Sequence, residues 1–175
     1  TSVLEYRHRV MSETLPDGTR LGVDWHLQHP GDYLDVLRIT IRDVIKQAEI
    51  RPEQVIGIGI DTTGCTILPI KKDGTPLCFL ERWKGSPNAY VKLWKHHAAQ
   101  PYADKMTETA LARNEKFIQR YGGKISSEWM FPKIWQVLDE SPEIYEDTDA
   151  FLEVTDWIVM QLTGKLIRNS CAAGA

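Results

Sequence analysis

Along this chain the apolar residues change their spacing several times, and each change marks an element. Residues 3–11, VLEYRHRVM, predict a strand, closed by the Pro-Asp-Gly turn of LPDG at 15–18. After Pro30-Gly31-Asp32 the spacing shifts to three and four. Leu34, Leu37, Ile41, Val44, Ile45 and Ala48 then share one helix face, with Asp32 placed to cap it and Pro52 to end it. Residues 55–61, VIGIGID, are an almost unbroken apolar run, the pattern of a strand covered on both faces in an α/β sheet. Residues 66–80 predict a hairpin, TILPI and TPLCFL around KKDG, and ERWKGSP at 81–87 reads as a loop. Helical patterns fill the remainder. They cover 88–99, 102–121 ending at Gly122-Gly123, 127–140 with Pro132 near its start, and 149–163 ending at Gly164.

Composition narrows the classes. A chain of 175 residues with 42% hydrophobic and 26% charged residues is an ordinary globular domain. A net charge of −3 gives no basic footprint for nucleic acid or an acidic membrane. Three cysteines, Cys65, Cys78 and Cys171, are odd in number and lack metal-site spacing, so a disulfide framework is not expected and a reducing cytoplasm fits. No leader-like apolar segment and no apolar run of membrane-spanning length is present. The opening in a strand-like segment and the closing NSCAAGA lead us to expect a piece of something larger. The acidic DESPEIYEDTD at 139–149 reads as a solvated connection between helices.

Chemistry-bearing residues gather in four places. Asp61 ends the apolar run, where α/β sheets collect ligands, though an aspartate there also caps turns through its own side chain. Gly64 and Cys65 follow. The glycine admits either a ligand or a positive φ, and the cysteine has no basic neighbour in sequence to activate it. Gly57 and Gly59 lie inside the strand pattern and do not form a dinucleotide fingerprint. KLWKHHAA at 92–99 concentrates Trp94, Lys95, His96 and His97. Adjacent histidines diverge on a helix and share a metal poorly, whereas a flat tryptophan beside donors makes an apolar wall for a sugar. YGGKISSEW at 121–129 is either a helix end followed by a helix start or a polar lip for a hydroxylated ligand. EVTDWIVMQLTGK at 153–165 reads as a core helix and its cap, with Asp156 at the surface or in a positioning contact.

These segments, GIGIDTTGCT, KLWKHHAA, RYGGKISSEW and EVTDWIVMQLTGK in this order, resemble the N-terminal domain of the FGGY family of carbohydrate kinases. LPDG, DWHLQHPGDYL at 24–34 and NSCAAG strengthen the likeness toward members acting on L-ribulose. The resemblance implies an α/β, ribonuclease H-like (actin-like ATPase) fold with a mixed sheet flanked by helices, incomplete at both ends. It implies transfer of the γ-phosphate of ATP, with Mg²⁺, to the 5-hydroxyl of L-ribulose in arabinose breakdown. D-ribulose or D-xylulose kinases, and a non-catalytic sugar-binding or assembly module, are the alternatives. Carried over by position, Gly64 and Cys65 contact substrate. Trp94, Lys95 and His96 wall the sugar site, Ser126, Ser127 and Glu128 lie near it, and Asp61 positions a metal or hydroxyl. The same likeness puts a phosphate loop before Thr1, the general base beyond Ala175 and the ATP-binding groups in a second domain. The 175 residues alone are then expected to be inactive, and the full protein to be cytoplasmic and compatible with a homodimer.

Overall fold

The computed structural model describes residues 1–173 and builds one antiparallel sheet from four short strands. These are β1 (Leu27–Gln28), β2 (Ile67–Ile70), β3 (Val91–Lys92) and β4 (Ala150–Glu153), in the order β1-β3-β2-β4. Ile67 is the hub, facing Lys92 on one side and Glu153 on the other. All four β2 residues are buried, which explains their apolar character on both faces.

Helices enclose this sheet. The first, α1 (Pro30–Gln47), starts with a proline, which lacks the N–H that a first turn leaves unpaired. Its cap is His29, whose ring accepts from the Gly31 N–H, in place of the expected Asp32. Asp32 has a stronger use: it is buried in the first turn and accepts from the backbone N–H of His8 at 3.0 Å, while its other oxygen meets the His8 ring at 2.8 Å. Helix α2 (Gln100–Ala112) gives way near Asn114, at φ 54°, to a 3₁₀ segment Lys116–Tyr121. The expected single helix over 102–121 is therefore two pieces. α3 (Met130–Glu140), α4 (Pro142–Asp147), α5 (Val154–Thr163) and α6 (Ser170–Ala173) complete the fold. Gly122 and Gly164 adopt left-handed caps, as their positions predict.

Trp157 of α5 is fully buried in the main core among Leu68, Ile70, Val91 and Leu152, and its indole N–H donates to the Gly74 carbonyl at 2.8 Å. Gly74 closes the turn after β2 at φ 88°, where a Cβ would come within 2.8 Å of the Gln161 amide. Turn and helix thus lock each other.

Further expectations are corrected. Residues 3–11 are not a strand; only Met11 bridges, to Leu27. Residues 88–99 are not a helix, because Val91 and Lys92 join the sheet between the 3₁₀ turns Pro87–Ala89 and His97–Ala99. Long-range pairing overrides local propensity there. Residues 55–61 carry no strand pairing among the described residues and stand exposed except Ile60, which packs against the core, with Ile56 at 103% and Ile58 at 54%. A strand exists only where a neighbouring ladder satisfies it, and none of the described residues supplies one. The sheet is consequently wholly antiparallel rather than mixed.

Candidate functional site

The stretch 61–66 runs from an exposed Asp61 to a buried Thr66, and the backbone around Cys65 is held unusually well. Lys133 of α3 donates from Nζ to the Cys65 carbonyl at 2.5 Å. Glu153, the last residue of β4, accepts from the Thr66 N–H through Oε2 at 2.9 Å. Those two groups are the two ends of one peptide unit. The same Lys133 ammonium also donates to the Leu93 carbonyl at 2.7 Å, tying the residue before Trp94 to the loop. Upstream, the hydroxyls of Thr62 and Thr155 are hydrogen-bonded.

Charge follows burial at this spot. Lys133 is fully buried, which lowers its pKa to about 8 against the opposing pull of Cys65, Glu153 and Glu128. Burial pushes Glu153 up to about 6, and its Oε1 has no hydrogen-bond partner among the described residues. The Cys65 thiol is raised, by burial and then by the Glu153 charge, so it is a poor nucleophile. Positive φ falls on Cys65, at 55°, and not on Gly64. An added Cβ at Gly64 would meet nothing within 4 Å, so neither strain nor crowding demands a glycine there.

Beside the loop lies a polar cavity of about 480 Å³ lined by Tyr6, Gln28, Tyr33, Asp61, Thr62, Thr63 and Leu93. Its size suits a small ligand, and the hydroxyl and amide groups suit a polyol. Trp94 follows Leu93 and is 43% exposed, leaving an apolar face available. Glu128 is half-buried and close enough to act electrostatically on Cys65 and Lys133. The structure thus brings Gly64, Cys65, Leu93-Trp94 and Glu128 around Lys133.

Other sequence-derived candidates point elsewhere. His96 is buried, with Nδ1 accepting from the His26 N–H at 3.2 Å and Nε2 bonded to the Gln136 side chain at 2.8 Å. Burial and then the Lys92 charge depress its pKa to about 2, which keeps it neutral. Ser127 is buried against the His97 ring at 3.1 Å, Ser126 accepts from the Glu128 N–H, and Lys95 is half-exposed. Sequence reasoning missed Lys133, Glu153, Gln28 and Tyr33. A signal existed for the first: Lys133 falls on the buried face with Met130 and Val137, three and four residues away.

A metal is implied by the resemblance. Asp61 presents one carboxylate to an open polar cavity, and magnesium is commonly held by one or two carboxylates with waters and substrate phosphates. Asp61 is the residue that would hold such an ion, and the ion would supply charge neutralisation there. No glycine-rich turn opening a helix cradles phosphate among the described residues, so no ATP contact is assigned to them. His8, His29 and Asp32 also gather within 4.8 Å, but both Asp32 oxygens and the His29 Nδ1 are already in hydrogen bonds. That cluster latches the N-terminal segment onto α1.

Residues 9–175 match the family model described as FGGY family of carbohydrate kinases, N-terminal domain. The chain belongs to the FGGY family of carbohydrate kinases. Within this family it is 57% identical over 173 residues to the ribulokinase of Shouchella clausii, and 53% identical over the same length to that of Halalkalibacterium halodurans. It is 41% identical over 172 residues to a Staphylococcus aureus ribulokinase. Each match covers 98% of this chain and 31% of the relative, so the chain spans about a third of the length of these curated relatives. Among solved structures it superimposes on a xylulose kinase from Brucella ovis with a TM-score of 0.65, at 16% identity, covering 83% of this chain and 27% of that one. A ligand-bound xylulose kinase from Lactobacillus acidophilus gives 0.64 at 16% identity, covering 88% and 28%. These FGGY kinases share the ribonuclease H-like, actin-like fold, which this chain therefore adopts in part.

Proposed function

We propose that this chain is the sugar-binding part of an FGGY kinase that moves the γ-phosphate of ATP to the 5-hydroxyl of L-ribulose, with Mg²⁺ as the companion ion, in the cytoplasm. The observation that carries the reading is the 57% identity to a ribulokinase across 98% of the chain. The site agrees with it: a small-residue loop, an open tryptophan face and a hydroxyl-rich cavity suit a short polyol. Phosphoryl transfer asks little covalent work of the protein. It asks for alignment of the attacking hydroxyl and for stabilisation of charge. The residues present supply alignment on the sugar side. None of them is assigned as the base, and the 175-residue chain by itself is expected to show no sugar-dependent ADP release.

The test is a coupled ADP assay on the full-length kinase with L-ribulose, D-ribulose and D-xylulose. We expect kcat/KM for L-ribulose to exceed the others by at least about tenfold, the scale on which a pocket separates close analogues. Preference for D-xylulose or D-ribulose would reassign the substrate. Absence of turnover with all three sugars would favour a binding or assembly module.

A further inference from the structure

We infer that Lys133 and Glu153 are paired positioning residues that set the orientation of the Cys65–Thr66 peptide and, through Leu93, hold the loop and the Trp94 segment in one frame. This rests on the reading of that face as the sugar side. The argument begins with the peptide itself. Its carbonyl receives a buried ammonium at 2.5 Å and its N–H is received by a buried carboxylate at 2.9 Å. A peptide unit in a loop has a second orientation, flipped by about half a turn, which exchanges the two ends. Here the flip would turn an N–H toward the Lys133 ammonium and a carbonyl toward the Glu153 carboxylate. Both contacts would change from attractive to repulsive in a site shielded from water, where such forces are strong.

Cys65 shows that the grip matters. Its φ of 55° lies in the left-handed region that a residue with a Cβ seldom adopts without being held. The side chains that hold it are unusual in their own right. Lys133 is fully buried on α3 beside Met130, Val137 and the equally buried Gln136, and Glu153 is buried with one oxygen unpaired among the described residues. Keeping two ionisable groups out of water is costly and is repaid only by well-made contacts. The contacts they make are to backbone, at the loop that faces the cavity and at the carbonyl preceding Trp94.

The experiment uses the full-length kinase with Lys133→Met, Glu153→Met, the double variant and the conservative Glu153→Gln. Hydrogen exchange at residues 62–66, without substrate, is expected to quicken about tenfold or more in Lys133→Met, with Ile67–Ile70 unchanged. For the sugar, kcat/KM should fall about 10²-fold, since a small displacement of a positioning group has that scale. KM for ATP should stay within about twofold, because a sugar-side frame does not act through ATP binding. Glu153→Gln keeps an acceptor for the Thr66 N–H and should stay within about threefold of the parent. Should either single variant fail to fold, the double variant leaves no unpaired buried charge and carries the same measurements. Loop exchange at the parental rate in Lys133→Met or in the double variant overturns the inference. Quickened exchange in an enzyme that phosphorylates none of the three sugars would support the grip while the substrate reading fails.

Discussion

Two adjacent runs of sequence, VIGIGID at 55–61 and TTGCT at 62–66, meet opposite fates. The first has the composition of a buried strand, yet it has no ladder among the described residues and reaches the core only through Ile60. The second has the composition of a flexible turn, and one of its peptides is gripped at both ends by buried charges. Order here is decided by who satisfies the backbone. Apolar character alone does not supply a partner for an N–H or a carbonyl, whereas a lysine and a glutamate from distant elements do.

The largest effect should come from exchanging equal chemistry across this boundary. Ile67→Ala, at a position 1% exposed in the centre of the sheet, is expected to cost about 2–5 kcal/mol in urea unfolding of the 175-residue chain. Ile56→Ala, at a fully exposed position, should change stability by no more than about 0.5 kcal/mol. Equal costs would show that Ile56 is packed after all.

A smaller effect concerns the glutamate of the grip. Folding raises its carboxyl from 4.5 to about 6. In that window the folded chain binds the proton more tightly, so this contribution to stability is complete below the unfolded value and is lost as pH rises through the folded one. The loss is on the order of 2 kcal/mol, and Glu153→Gln should remove it. The difference between parent and variant unfolding free energies, followed from pH 4 to about 7, isolates this group from other carboxylates. A flat difference would mean that Glu153 is solvated. Smallest is the effect of Gly64→Ala, which has ordinary backbone geometry and open space around it. Stability should stay level or rise by about 0.5 kcal/mol, while KM for the sugar in the full-length kinase increases. A loss of stability would instead make Gly64 a structural glycine.

What could be read from the sequence was what short-range physics decides. The helix face of Leu34, Leu37 and Ile41, the proline that starts α1 and the glycines that end the 3₁₀ segment and α5 all appear where spacing and turn chemistry place them. The resemblance to a family also singled out residues 61–66 as a candidate loop, which stands as a proposal. The grip was not legible. Lys133 lies 68 residues from Cys65 and Glu153 lies 87 from Thr66, and nothing in a single chain announces which carbonyl a distant lysine will meet. His96 shows the converse. The resemblance put His96 in the wall of the sugar site, and the fold uses both of its ring nitrogens inside the core.

The grip on residues 65, 66 and 93 acts entirely on main-chain atoms. Every amino acid brings a carbonyl, and every one but proline brings an N–H. Side chains at 64, 65 and 94 can therefore be exchanged without dismantling the scaffold that presents them. If the proposed sugar side holds its ligand there, a lineage can retune which sugar it accepts while inheriting the scaffold unchanged. Under the function proposed above, the two interior charges are the fixed part of the site and the side chains at 64, 65 and 94 are the interchangeable part.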